Sequence, residues 1–91
     1  MSKTQNITLS LDDGRDLSFE IGQSQYAKLI NGMMKNPFNS QHNFLVESVT
    51  EEARPVLTEL LENPANVVEL CSSVMEEYAP TVQVVAKKRK N

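Results

Sequence analysis

A single cysteine, a single histidine, no tryptophan and three glycines leave most familiar site chemistries without material in this chain of 91 residues. Cys71 alone excludes an intramolecular disulfide and any cysteine-rich zinc centre. It falls on the apolar side of a predicted helix, where a small buried hydrophobe is the simpler reading than a reactive thiol. His42 is the only side chain that could serve a Cys-His or Ser-His-Asp site. Its neighbours Gln41 and Asn43 are neutral amides, and Cys71 lies two predicted helices away. A hydrogen-bonding role at a helix start or inter-helix turn accounts for it. Gly14, Gly22 and Gly32 match neither the Walker nor the dinucleotide-binding spacing, so no phosphate loop is present.

Long apolar runs are missing as well. Nothing approaches the ~20 residues of a membrane span, and MSKTQNITLS at the start lacks the apolar stretch of a secretory signal. The expectation is a soluble, intracellular protein. With three Phe, two Tyr and no Trp, the core must be built mainly from Leu, Val, Ile and Met. Such a chain makes one domain, because a second could not bury a core of its own. Its stability should be on the order of 5 kcal/mol, so self-association or partner binding would supplement it naturally.

Charge of one sign is scarce outside the end of the chain. Lys87, Lys88, Arg89 and Lys90 are four of the nine basic residues. Residues 1–86 hold the other five against all twelve acidic residues, a net of −7. A basic tail can grip a phosphate backbone. The acidic body would repel one, and no aromatic side chain interleaves the tail for base stacking. The tail at 87–91 therefore reads as a solvated, disordered extension of a domain spanning 1–86. The acidic pairs Asp12-Asp13, Glu51-Glu52 and Glu76-Glu77 are adjacent in sequence. On a helix such neighbours point ~100° apart and do not converge on a metal.

What is present is periodic. Ile7, Leu9 and Leu11 alternate with polar residues, as do Leu17, Phe19 and Ile21. Asp13-Gly14 between them signals a β-hairpin over 5–21. Ser24 is a candidate N-cap for a helix whose stripe is Tyr26, Leu29, Ile30, Met33 and Met34. Gly32 weakens that helix by about 1 kcal/mol relative to Ala and suggests a close approach by the hairpin. Pro37 stops it. A short helix is expected over 40–49, with Phe44, Leu45 and Val49 inward.

The next helix could be capped by Thr50, or could begin near Arg54 with Pro55 in its first turn. Leu57, Leu60 and Leu61 form its stripe. Asn63-Pro64 ends it and starts the last helix, with Val67, Leu70, Cys71, Val74 and Tyr78 on one face. Beyond Pro80, Val82, Val84 and Ala86 alternate well enough for a third strand that rejoins the hairpin. The fold class expected is α+β: an N-terminal β-hairpin, with a possible third C-terminal strand, packed on a bundle of three to four short helices.

Methionine placement raises one functional possibility. Only one of Met33 and Met34 can point inward with Leu29 and Ile30. Together with Met75 they could line an adaptable groove, although methionine at helical spacing is more often core filling.

The order of these elements resembles the small tail assembly chaperones of tailed phages and prophages. The resemblance rests on Tyr26, Lys28, Leu29, Ile30, Asn31, Met33 and Met34; on His42, Asn43, Phe44 and Leu45; on LTELLE at 57–62; and on Glu76, Glu77, Tyr78, Ala79 and Pro80. It covers the chain from about residue 7 to residue 88. Gly32 stands where the family has an acidic residue, and Pro55 interrupts a helix start that the family leaves uninterrupted.

The resemblance implies a non-catalytic protein without cofactors, working in the cytoplasm of the bacterial host. Its implied partner is the long, helical tape measure protein, held during tail assembly by a chaperone absent from the finished virion. In related systems a frameshifted, longer form recruits tail-tube subunits, and many copies along one rod would favour homo-oligomers. Met33, Met34, Leu57, Leu60 and Leu61 are the expected partner-binding residues. The alternatives are a small nucleic-acid-associated regulatory protein using the basic tail, and a minor structural protein of the virion.

Overall fold

The computed structural model describes residues 4–78. Strands β1 (Thr4–Ser10) and β2 (Asp16–Gly22) form an antiparallel hairpin in which Gln5, Ile7 and Leu9 face Ile21, Phe19 and Leu17 across the pair. Helices α1 (Gln23–Met33), α2 (Pro37–Ser48), α3 (Arg54–Leu60) and α4 (Pro64–Glu77) follow. The architecture is α+β, as the alternating and helical patterns require. The expected third strand and the basic tail lie outside the described residues.

The hairpin turn is held by interactions that its sequence dictates. Gly14 takes a φ of 93°, a region costly for any side chain. Its amide donates to the Leu11 carbonyl at 3.0 Å, and the Leu11 amide donates to the Arg15 carbonyl at 2.8 Å. Asp13 accepts from the Arg15 backbone at 3.0 Å and from its Nε at 2.8 Å. The Arg15 guanidinium keeps the Asp13 carboxyl below the usual carboxylate range. Arg15 also reaches Glu59 on α3 at 2.8 Å, which ties the turn to the helical layer.

Alternation then assigns the two faces of the sheet. Ile7, Leu17, Phe19 and Ile21 are buried. The opposite face is polar, with the Thr8 and Ser18 hydroxyls 3.0 Å apart and the Ser10 hydroxyl donating to Asp16 at 3.3 Å. The helices close the core with Leu29, Phe44, Leu45, Val49, Ala53, Leu57, Val67, Leu70, Cys71 and Val74. Helix α2 is its centre, packing on α1, α4 and β2. Ser48, the one polar residue among the buried described ones, donates to the Phe44 carbonyl at 2.6 Å and so adds no unpaired group to the core.

Several boundaries differ from expectation. Helix α1 starts at Gln23, ahead of the expected cap Ser24, because the Gln25 side chain accepts from the Gly22 amide at 2.9 Å and closes the first turn. Helix α2 starts at Pro37, a turn earlier than expected. Asn36 caps it, accepting from the Asn39 amide at 3.2 Å. Pro37 therefore ends one helix and begins the next, and His42 lies half-buried within α2 rather than in a turn. Of the two starts open for α3, the one at Arg54 is realised, with Pro55 in the first turn.

Gly32 faces α2, not the hairpin. A Cβ there would sit 2.6 Å from Ser40 Oγ and 3.0 Å from Ser40 Cβ, while that hydroxyl donates to the Leu29 carbonyl at 2.8 Å. The free edge of β2 receives Val49 and Thr50 as the chain leaves α2. Val49 forms an isolated bridge with Phe19, and the Thr50 amide donates to the Ser18 carbonyl at 2.9 Å.

Candidate functional site

The stripe of α1 is only partly used by the core. Leu29 is buried and Tyr26 half-buried, but Ile30 is 46% exposed, Met33 37% and Met34 92%. The reason is the placement of α2, which lies between α1 and α4 and packs on both. The two outer helices have no extensive interface with each other. They diverge into an apolar groove of about 200 Å³. Leu29, Ile30 and Met33 form one wall, and Val68, Cys71, Ser72 and Met75 the other. Gln41 of α2 lies between them.

Tyr26 and Tyr78 bound this arrangement by stacking directly, with ring centroids 4.6 Å apart and planes 12° from parallel. Both rings belong to helix ends, the first turn of α1 and the cap of α4. The stack therefore joins the N-terminal turn of α1 to the C-terminal end of α4. Val68, 50% exposed, and Phe38, 41% exposed, extend the apolar surface; Phe38 lies one turn before Gln41 on α2.

The residues expected to bind a partner are not gathered in one place. Met33 lines the groove with Met75, the pairing that methionine adaptability suggested. Met34 follows α1 at its C-cap and is open to solvent. Leu57 is 1% exposed and belongs to the core. Leu60 and Leu61 are half-buried against that core. Leu60 lines a separate cleft with Leu9, Leu11 and Leu70.

Sequence reasoning missed Ile30 and Val68 as surface residues. The available signal was the Val67-Val68 pair, which makes the apolar arc of α4 wider than one buried face needs.

Other features are chemically quieter. Cys71 is 2% exposed, and burial pushes its thiol up to about 11, so it is a protonated wall of the groove at neutral pH. A further concavity beside β2 is polar and acidic, lined by Asn6, Thr8, Asp16, Ser18, Glu20 and Glu52 among others. Among the described residues no group of three or more His, Cys, Asp or Glu side chains is placed to hold a metal ion. No described helix is long and apolar enough to cross a membrane.

Fold and groove together define a small α+β protein whose distinguishing surface is apolar and helical. Comparison with known protein families places it more narrowly. The chain belongs to the phage tail assembly chaperone family, whose pattern it matches over residues 7–88. Among curated proteins no match is found. Among solved structures there is likewise none.

Proposed function

We propose that this tail assembly chaperone holds the tape measure protein during tail morphogenesis by docking one of its amphipathic helices in the groove between α1 and α4. The observation that carries the reading is the exposure of Ile30, Met33 and Val68 around one apolar groove, in a chain otherwise able to close its core. Contiguous exposed apolar surface of this kind marks interaction sites. A groove between helices suits an apolar helix face presented at i, i+3, i+4 and i+7. An unassembled tape measure would expose such faces along its whole length.

The role is stoichiometric binding rather than catalysis, and it is exercised in the host cytoplasm before the tail is complete. Several copies bind along one rod, and a longer form of the chain would bring tail-tube subunits to it. Co-expression with the tape measure protein tests the reading. The wild-type chain should keep the tape measure soluble and co-purify with it after nuclease treatment. Recovery without any tail protein, or binding lost with the nucleic acid, would remove the proposal in favour of the basic tail as the active part.

A further inference from the structure

A cleft of about 470 Å³ lies between β1 and α4. Leu9, Ser10 and Leu11 all line it. Successive strand residues point to opposite faces, so a cavity that meets three in a row runs along the strand's outer edge. Among the described residues the sheet ends at β1. The other wall is α4, where Asn66, Glu69, Leu70 and Ser73 recur on one helix face. Leu9, Leu11 and Leu60 are only half-buried there. Asp12 and Glu69 also line the cleft and are exposed. Among the described residues neither carboxylate is in an ion pair. The cleft thus combines uncovered leucines with two uncompensated negative charges.

The chain leaves α4 in position to reach it. Thr4 at the start of β1 pairs with Gly22, the cap of α1. Tyr26 in the first turn of α1 stacks on Tyr78 at the cap of α4. The start of β1 and the end of α4 therefore share one end of the molecule, and the cleft lies toward the other. Pro80 opposes continuation of the helix. Measured back along α4 from Tyr78, Glu69 is about 14 Å away and Asn66 about 18 Å. If residues 79–81 turn the chain, Val82 to Ala86 span about 17 Å when extended. That brings Lys87, Lys88, Arg89 and Lys90 level with Glu69 and Asp12.

We propose that segment 82–90 of this chain docks in the cleft, extended beside β1. Val82, Val84 and Ala86 supply one apolar side for the leucines, and the four basic residues meet Asp12 and Glu69. The charges are complementary, since residues 1–86 carry a net of −7. The concavity beside β2 is acidic too, but its largely polar lining offers the valines little. Docking gives the third strand expected from the alternation a definite seat, in place of a solvated tail. It covers a sheet edge open to foreign strands and withholds the basic residues from nucleic acid. The inference is independent of the α1–α4 groove, which uses the opposite face of α4.

Amide hydrogen exchange of the full chain at low salt, read by NMR, tests it. The amides of 82–86 should exchange at least about tenfold more slowly than those of an unstructured chain, and salt should reduce the protection. Asp12→Lys with Glu69→Lys should bring them to the unstructured rate while the helical amides keep theirs. Glu20→Lys with Glu52→Lys makes the same change in net charge in the other acidic concavity and should leave the protection in place. Replacing Lys87, Lys88, Arg89 and Lys90 by glutamine should abolish it.

Unstructured rates at 82–86 in the wild type, or equal effects of the two double variants, would overturn the inference. So would protection that rises with protein concentration, which would assign the cleft to the tail of a second copy. Protection that appears only with an added oligonucleotide would make the tail a nucleic-acid arm and overturn it as well.

Discussion

Ser40 and Cys71 show how single side chains in this protein decide between opposing effects. Replacing a helical glycine by alanine ordinarily stabilises by about 1 kcal/mol. At Gly32 the added Cβ would meet the Ser40 side chain at 2.6–3.0 Å and displace a hydroxyl that satisfies the Leu29 carbonyl. Overpacking of this kind costs about 1–3 kcal/mol, so Gly32→Ala should lower the urea midpoint. A raised midpoint would show that α1 and α2 slide apart freely.

Cys71 makes a pH-dependent prediction. Its folded pKa, about 11, stands above the ordinary 9.0, so the folded state holds the proton more tightly. The contribution is fully present below about pH 9 and is lost as pH rises through the folded value. Between pH 8 and pH 11 the wild type should lose about 1–3 kcal/mol more stability than Cys71→Ala, measured by denaturant unfolding. Parallel pH curves for the two proteins would contradict the burial of the thiol.

At the scale of elements, the Asn-Pro pairs were the clearest punctuation, and one of them was only half-read. Asn63-Pro64 was recognisable as cap and first helical residue, and Asn63 indeed accepts from the Ala65 amide at 3.1 Å. Asn36-Pro37 has the same chemistry, yet its stop signal for α1 masks its start signal for α2, so periodicity alone puts α2 a turn late. Asn63→Ala should cost about 1 kcal/mol of stability through the lost cap, detectable as a lower thermal midpoint; an unchanged midpoint would mean that Pro64 alone fixes the turn.

The hairpin and the buried face of α4 were legible because strict alternation and helical spacing are local signals. The bridge from Val49 to Phe19 was not, since it joins residues 30 apart and follows from α2 ending against β2. Nor could periodicity show that the stripe of α1 is shared between a core and a groove. A stripe reports which face is apolar, not which partner covers it.

For the whole molecule, the order of short motifs is enough to point to the family, and the family pattern over residues 7–88 agrees. The binding face was less accessible. Of the five residues expected to meet a partner, Met33 lines the groove, Met34 is exposed at the end of α1 and Leu57 is interior. The surplus apolar surface lies between α1 and α4 because α2 holds them apart. On the proposed function, this surface holds the tape measure protein.

The most direct test is the affinity of the purified full chain for the tape measure protein, compared across wild type, Ile30→Asp, Val68→Asp and the surface control Glu51→Lys. Ile30 and Val68 are both about half exposed, so the aspartates should fold normally. Each should nevertheless weaken binding at least about tenfold, since burying an unpaired carboxylate in an apolar contact costs several kcal/mol. Glu51→Lys should bind as wild type does. If both aspartate variants retained full affinity while remaining folded, the groove would not be the site at which this chaperone holds its partner.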